Sequence, residues 1–285
     1  MEPIVPIENA KVFFDGIFSE PRLCHPEGVA VGKGGDLWCG GENGEIYRIA
    51  ADGSGIELVA STKGFTLGLA FDLDYNLYTC DLKHRAVFKL NARNRDVELF
   101  SEGGDDGRMR IPNYPVVDAQ RNCLYVSDSY HPVRRGPGVW RIDLDSGQSN
   151  LWYGRNLRFA NGMALSPDSK WLYVAETFDR KVSKIPILGD GKAGEAEVVV
   201  QKIDRLPDGL AFDVEGNLYV ACYEPARVYR VSPDNHIELL IEDLDAHTLC
   251  HPTNCAFRGT ELFTSNLGRW HITHFDTGKL GLELL

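Results

Sequence analysis

Long apolar runs are missing from this chain: no stretch approaches the roughly 18 consecutive apolar residues that a membrane-crossing helix needs, and no membrane partner is expected. The first residues, Met1-Glu-Pro-Ile-Val-Pro-Ile-Glu8, lack the basic start and apolar core of a secretion signal, so a cytoplasmic location is the expectation. Positive charge is also scarce, with 30 Lys and Arg against 41 Asp and Glu and a net charge of −11. Such a surface repels a polyanion, and Arg85 and the Arg134-Arg135 pair are too isolated to form a basic stripe. Nucleic acid is therefore not an expected partner. The seven cysteines form no CxxC pair and lie on or beside expected strands, as small buried hydrophobes kept reduced. No G-x-S-x-G turn occurs, and no serine has a neighbouring histidine and acid, which removes the serine hydrolases. His271 and His274 have HxxH spacing, but on an expected strand they point to opposite faces and cannot share a metal. A helical period of 3.6 residues is absent as well, so helical repeats are excluded.

What the chain does contain is one short sentence written six times. Its clearest copy, Pro207-Asp-Gly-Leu-Ala-Phe-Asp213, leads through the turn residues Val214-Glu-Gly-Asn217 into the apolar, β-prone Leu218-Tyr-Val-Ala221. The other copies begin at Pro26-Glu-Gly, Leu67-Gly-Leu, Pro112-Asn-Tyr, Ala160-Asn-Gly and Pro252-Thr-Asn. Glu27, Leu67, Asn113, Asn161, Asp208 and Thr253 share one phase of the repeat, spaced by 40, 46, 48, 47 and 45 residues. Each interval holds about four short strands, and blades of roughly 40–50 residues are those of a propeller. The expectation is an all-β six-bladed β-propeller with four-stranded antiparallel blades, occupying residues 1–285 as a single domain. A further strand at about residues 10–18 precedes the first copy; added to the last blade beside His271–Phe275, it closes the ring and removes a free edge. The glycine-rich stretch from Ser101 to Arg110 reads as an irregular connection, and Ser127 to Pro137 as the longest loop within a blade.

In a propeller the innermost strand of each blade lines a central channel, so residues sharing one phase converge on one channel mouth. Five of the six bear oxygen and two are acids. Carboxylates brought together there repel unless a cation lies between them or one is protonated. Such oxygens suit a hard divalent ion. The competing reading, strand-start residues capping nearby amides, accounts for single residues but not for the shared phase.

Pro26-Glu-Gly28, Ala160–Asp168 and Pro207–Asp213 together resemble the family of senescence marker protein, gluconolactonase and luciferin-regenerating enzyme, over about residues 16–275. The resemblance implies a six-bladed propeller and a divalent-metal-dependent lactone hydrolase. It implies metal ligands at Glu27, Asn161 and Asp208, one divalent ion (calcium, manganese, zinc or iron(II)), and Asp208 as general base. Asn113 matches the family's third-repeat asparagine, which contacts substrate or the metal's water. The family's Arg-x-Asn-Asp-Gly pattern is altered here to Arg110-Ile-Pro-Asn113-Tyr-Pro115, with the arginine one residue out of register. Residues 159–177 also resemble strictosidine-synthase-like and paraoxonase-like propellers, which widens the ester range.

The loops following each second strand share the ion's face. They offer Glu42, Asp81, Tyr130, His131, Arg134, Glu176, Tyr223, Arg269 and Trp270 as specificity candidates. Among these, Tyr130 and His131 on the longest loop are singled out as substrate contacts together with Arg110. The expected partner is a small lactone, bound by a monomer or small homo-oligomer. The alternative class is a non-enzymatic propeller that binds metal or another protein.

Overall fold

The computed structural model describes residues 1–203 and 206–283. Six four-stranded antiparallel sheets follow one another around a ring. Their inner strands are Val29–Val31, Thr66–Phe71, Pro112–Asp118, Ala160–Leu165, Pro207–Phe212 and Pro252–Arg258, which define blades 1 to 6. The only helical segments among the described residues are two single 3-10 turns, Ile7–Asn9 and Thr177–Asp179. Lys11–Asp15 forms the outer strand of blade 6, paired antiparallel with His271–Asp276, so the ring closes as expected.

Local chemistry explains the turns. Asp213 accepts from the amides of Glu215 and Asn217, Gly216 takes φ +84° as a left-handed turn requires, and Tyr219 donates its hydroxyl to the same carboxylate. Asp72, Asn76 and Tyr78 repeat the arrangement in blade 2. The recurrent aromatic of each second strand is thus a packing element: Tyr78, Tyr125, Tyr219 and Phe263 are fully buried. The core lies between blades. One cluster joins Tyr114, Val116 and Tyr125 of blade 3 to Met163, Leu172 and Val174 of blade 4.

Three details differ from the sequence reading. The 101–110 connection contains a two-stranded ribbon, Gly103–Gly104 with Gly107–Arg108. Blade 3's third strand starts at Gly136, which shortens its loop to residues 129–135. At the C-terminal end, Leu282 donates its amide to Phe212 and Gly281 donates to Gly259, which sets the tail beside the far ends of the blade 5 and blade 6 inner strands, where it helps line the channel cavity.

Candidate metal centre

The repeated motif is a β-bulge. In blade 4, Ala160 pairs with Glu176 and Met163 with Val174, so Asn161 and Gly162 together oppose Ala175. The same two-against-one register occurs at Leu67-Gly68, Asn113-Tyr114, Asp208-Gly209 and Thr253-Asn254. A bulge releases a residue from the ladder and re-aims its side chain. In blade 1, Glu27 and Gly28 immediately precede the strand. Where the second residue is glycine, the neighbouring blade imposes it: a Cβ on Gly162 would stand 2.3 Å from the Asp208 carbonyl, and one on Gly209 would stand 2.6 Å from the Asn254 Cα. The bulges of adjacent blades therefore touch through their backbones.

Glu27, Asn113, Asn161, Asp208 and Asn254 are all buried. Each carries one side-chain oxygen with no hydrogen-bond partner: Glu27 Oε2 and the Oδ1 atoms of Asn113, Asn161, Asp208 and Asn254. The amide orientations are forced rather than arbitrary. Thr177 Oγ1 donates to the Pro207 carbonyl at 2.8 Å, so toward Asn161 it can only accept, and Asn161 Nδ2 lies 3.1 Å away. Ser129 does the same between Asn113 Nδ2 and the Ala160 carbonyl, at 3.1 and 2.7 Å. Asn254 Nδ2 donates to the Glu27 carbonyl at 3.0 Å. In each case the carbonyl oxygen is the atom left over.

Beyond the bulges each inner strand continues into apolar residues. Val29, Leu69, Val116, Met163, Leu210 and Phe212 help line a channel cavity of about 550 Å3. In blade 2 the motif residue is Leu67, so that sector of the ring is apolar too. This environment disfavours charge. Burial raises the Glu27 carboxyl to about 7, against hydrogen bonds that lower it. Burial and then the charge of Glu27 push Asp208 well above the usual carboxylate range. The two acids, from blades 1 and 5, thus share one electrostatic field.

Two carboxylates and three amide carbonyls with unused lone pairs form an all-oxygen donor set, and they fit a hard divalent cation. Among the described residues no group of three His, Cys, Asp or Glu could hold a metal, so a softer nitrogen or sulfur site has no basis.

The other expected residues divide. Arg110 and Tyr130 meet, the guanidinium lying 4.6 Å from the ring centroid. His131 Nδ1 accepts the Val133 amide within its own turn. Tyr223 feels the charges of Asp208 and Glu27 and stacks on His251 at 4.9 Å. Trp270 stacks under Arg22, and Glu42 binds Cys24 and His25. Asp81 and Glu176 are structural instead. Asp81 accepts from the amides of Phe65 and His84, and Glu176 from the amide of Arg158, each fastening the chain that leads into its own blade's inner strand. Asp128 fastens Arg110 and Ile111 in the same way. Sequence reasoning missed Ser129 and Thr177, although Asp128-Ser129 and Glu176-Thr177 share one phase. It also missed Asn254, taking Thr253 instead; the Thr253 hydroxyl turns sideways to the Glu27 carbonyl at 2.6 Å.

The SMP-30/Gluconolactonase/LRE-like region is matched over residues 56–265, and a strictosidine synthase-like N-terminal region over residues 20–49. Protein STRICTOSIDINE SYNTHASE-LIKE 6 of Arabidopsis thaliana is 25% identical over 224 residues, covering 70% of this chain and 56% of that protein. The 6-deoxy-6-sulfogluconolactonase of Pseudomonas putida is 30% identical over 134 residues, covering 46% and 44%. The chain therefore spans about half the length of these relatives. A solved structure of a calcium-binding protein, regucalcin, from Agrobacterium tumefaciens superposes with a TM-score of 0.79 at 17% identity, over 99% of this chain and 97% of that one, and shares the fold. With its family region matched across most of its length, the chain belongs to the SMP-30/gluconolactonase/LRE-like family.

Proposed function

We propose that the chain is a divalent-metal-dependent hydrolase that opens a lactone, either a sugar lactone or a related cyclic ester. The observation that carries this reading is a set of five buried side-chain oxygens without hydrogen-bond partners, one at the motif of each of five blades. Glu27, Asn161 and Asp208 are the proposed ligands, with Asn113 beside them facing substrate. The name of the Pseudomonas putida relative, a sulfogluconolactonase, supports the lactone class. A divalent cation held among these oxygens supplies Lewis acidity toward an ester carbonyl and acidifies water at the site.

The protein's own groups do the rest. Asp208 carries a buried carboxylate whose Oδ1 has no other partner, and it accepts the proton of the attacking water. Asn113 and Asn161, fixed by Ser129 and Thr177, present neutral oxygens that orient without adding charge. Arg110, spread over Tyr130, offers donors to the hydroxyls of the substrate and to the carboxylate that ring opening creates. His131 completes the proposed substrate-facing loop. Both acids are buried away from bulk water, which strengthens every charge interaction there. A cytoplasmic location belongs to the same proposal, supported by seven cysteines of which none is in a disulfide.

The test is hydrolysis of a panel of sugar, aliphatic and aromatic lactones, followed by pH-stat, on chelator-treated protein with and without calcium, manganese, zinc or iron(II), the last kept anaerobic. Metal-restored turnover of at least one lactone supports the reading. Metal binding with no hydrolysis across the panel replaces it with a non-enzymatic scaffold. The similarity to the strictosidine synthase-like protein favours including acyclic esters, and turnover confined to those would move the substrate class.

A further inference from the structure

Blade 6 breaks the phase of the repeat. Its motif position is Thr253, whose hydroxyl is spent on the Glu27 carbonyl and lies 3.1 Å from Ser265 Oγ. The next residue, Asn254, occupies the position that is glycine in blades 1, 2, 4 and 5. It is fully buried, with 0% exposure. Its Nδ2 donates to the Glu27 backbone, and its Oδ1 has no partner. A Cβ built on Gly209 would meet the Asn254 Cα at 2.6 Å and its Oδ1 at 2.8 Å. Asn254 thus reaches the backbone of blade 1 with one end of its amide and the Asp208-Gly209 bulge of blade 5 with the other. An amide carbonyl wholly excluded from water and left unpaired is destabilising. That cost disappears if a cation accepts the oxygen.

We propose that Asn254 is a further oxygen donor to the divalent cation, supplied by blade 6 between the two acids. The inference rests on the metal reading above and extends its ligand set. With Asn254 added, oxygens from blades 1, 4, 5 and 6 enclose the ion, and Asn113 of blade 3 completes the arc. Only the Leu67 sector, in blade 2 between Glu27 and Asn113, is left without oxygen. A neutral fourth donor raises the coordination number without raising net charge. That favours an ion taking six or more oxygens, as calcium does, over one restricted to four.

The experiment uses the full chain, chelator-treated, titrated with calcium or manganese by calorimetry and by the shift in thermal midpoint. N254A is expected to bind at least about ten-fold more weakly than the parent. Asn254→Asp keeps the size and the oxygen but loses the N–H donor. It is expected to melt earlier than the parent without metal, because a third buried acid is present, and to bind the ion at least as tightly as the parent. If Asn254 acted only by holding the Glu27 carbonyl, Asn254→Asp would lose affinity as N254A does, and the proposal would fall. Parental affinity in N254A, or in N254S should N254A not fold, overturns it equally. A parent chain that binds none of these ions overturns the metal reading, and this inference with it.

Discussion

Asn161 and Thr177 are joined by a hydrogen bond of 3.1 Å whose direction cannot be reversed, because the threonine hydroxyl is already committed to the Pro207 carbonyl at 2.8 Å. That chain of two bonds ties blade 4 to blade 5 and decides which atom of Asn161 is left without a partner. Ser129 repeats it between blades 3 and 4. The orphaned oxygens are therefore a product of interblade fastening, and the fastening can be tested separately from the oxygens themselves.

Thr177→Val keeps the shape and removes the hydroxyl. The Pro207 carbonyl and the Asn161 amide group both lose a buried partner, a loss of about 1–3 kcal/mol of stability. Freed from its constraint, the Asn161 amide can rotate its nitrogen toward the channel. Groups that orient metal ligands typically contribute about 10–100-fold in affinity, and a loss in that range is expected in a calcium or manganese titration. Thr177→Ser, which restores the hydroxyl, should recover most of both losses. Unchanged metal affinity in Thr177→Val would mean that the Asn161 oxygen is not a ligand.

Asp208→Asn separates the proton acceptor from the fold. The parent carboxyl is strained by burial and by Glu27. Its neutral amide should fold with a metal-free thermal midpoint no lower than the parent's. Lactone turnover should fall by at least about 100-fold, the lower range for loss of a general base. Turnover at the parental rate would remove Asp208 from the mechanism.

The blades and their order were legible because their turns are written in local chemistry, such as Asp213-Val-Glu-Gly-Asn217, and the second strands that follow are short and largely apolar. Glu27, Asn113, Asn161 and Asp208 were grouped by their common phase, and each carries a buried oxygen without a hydrogen-bond partner. That phase could not resolve Thr253 from Asn254, since a two-residue bulge lets either side chain face the channel, and hydrogen bonds to Glu27 and Ser265 decide between them. Asp81 and Glu176 looked substrate-facing because they end second strands near the loops. Their carboxylates turn back to backbone amides, a choice set by three-dimensional proximity that spacing does not encode. The ribbon at Gly103–Arg108 was hidden for a different reason: two-residue strands carry no alternation to read.

Gly209→Ala probes the contact between bulges. The added methyl would stand 2.6 Å from the Asn254 Cα and 2.7 Å from the Thr253 carbonyl, and backbone cannot yield as a side-chain tip can. Overpacking of this kind costs about 1–3 kcal/mol, readable as a lower urea midpoint. Because blades 5 and 6 must separate to admit the methyl, metal affinity should fall together with stability. Gly189→Ala, on an exposed tip with open space around it, should change neither and serves as the control.

The ring closure supplies a pH dependence. His271 pairs with Asp15 across the closing strands, and its Nε2 lies 2.9 Å from the Thr248 carbonyl. Burial lowers its pKa below the ordinary 6.5, outweighing the Thr248 hydrogen bond and the nearby Asp15 charge that raise it. In the unfolded chain the imidazole takes up a proton near pH 6.5, whereas in the folded chain it resists until lower pH. The unfolded state then binds more protons, so stability drops as pH falls below about 6.5 and levels off below the folded pKa. His271→Gln can still donate to the Thr248 carbonyl but does not titrate. The difference in urea midpoint between parent and variant should therefore change in the variant's favour between pH 7.5 and pH 5. A difference independent of pH would show that His271 is no more resistant to protonation folded than unfolded.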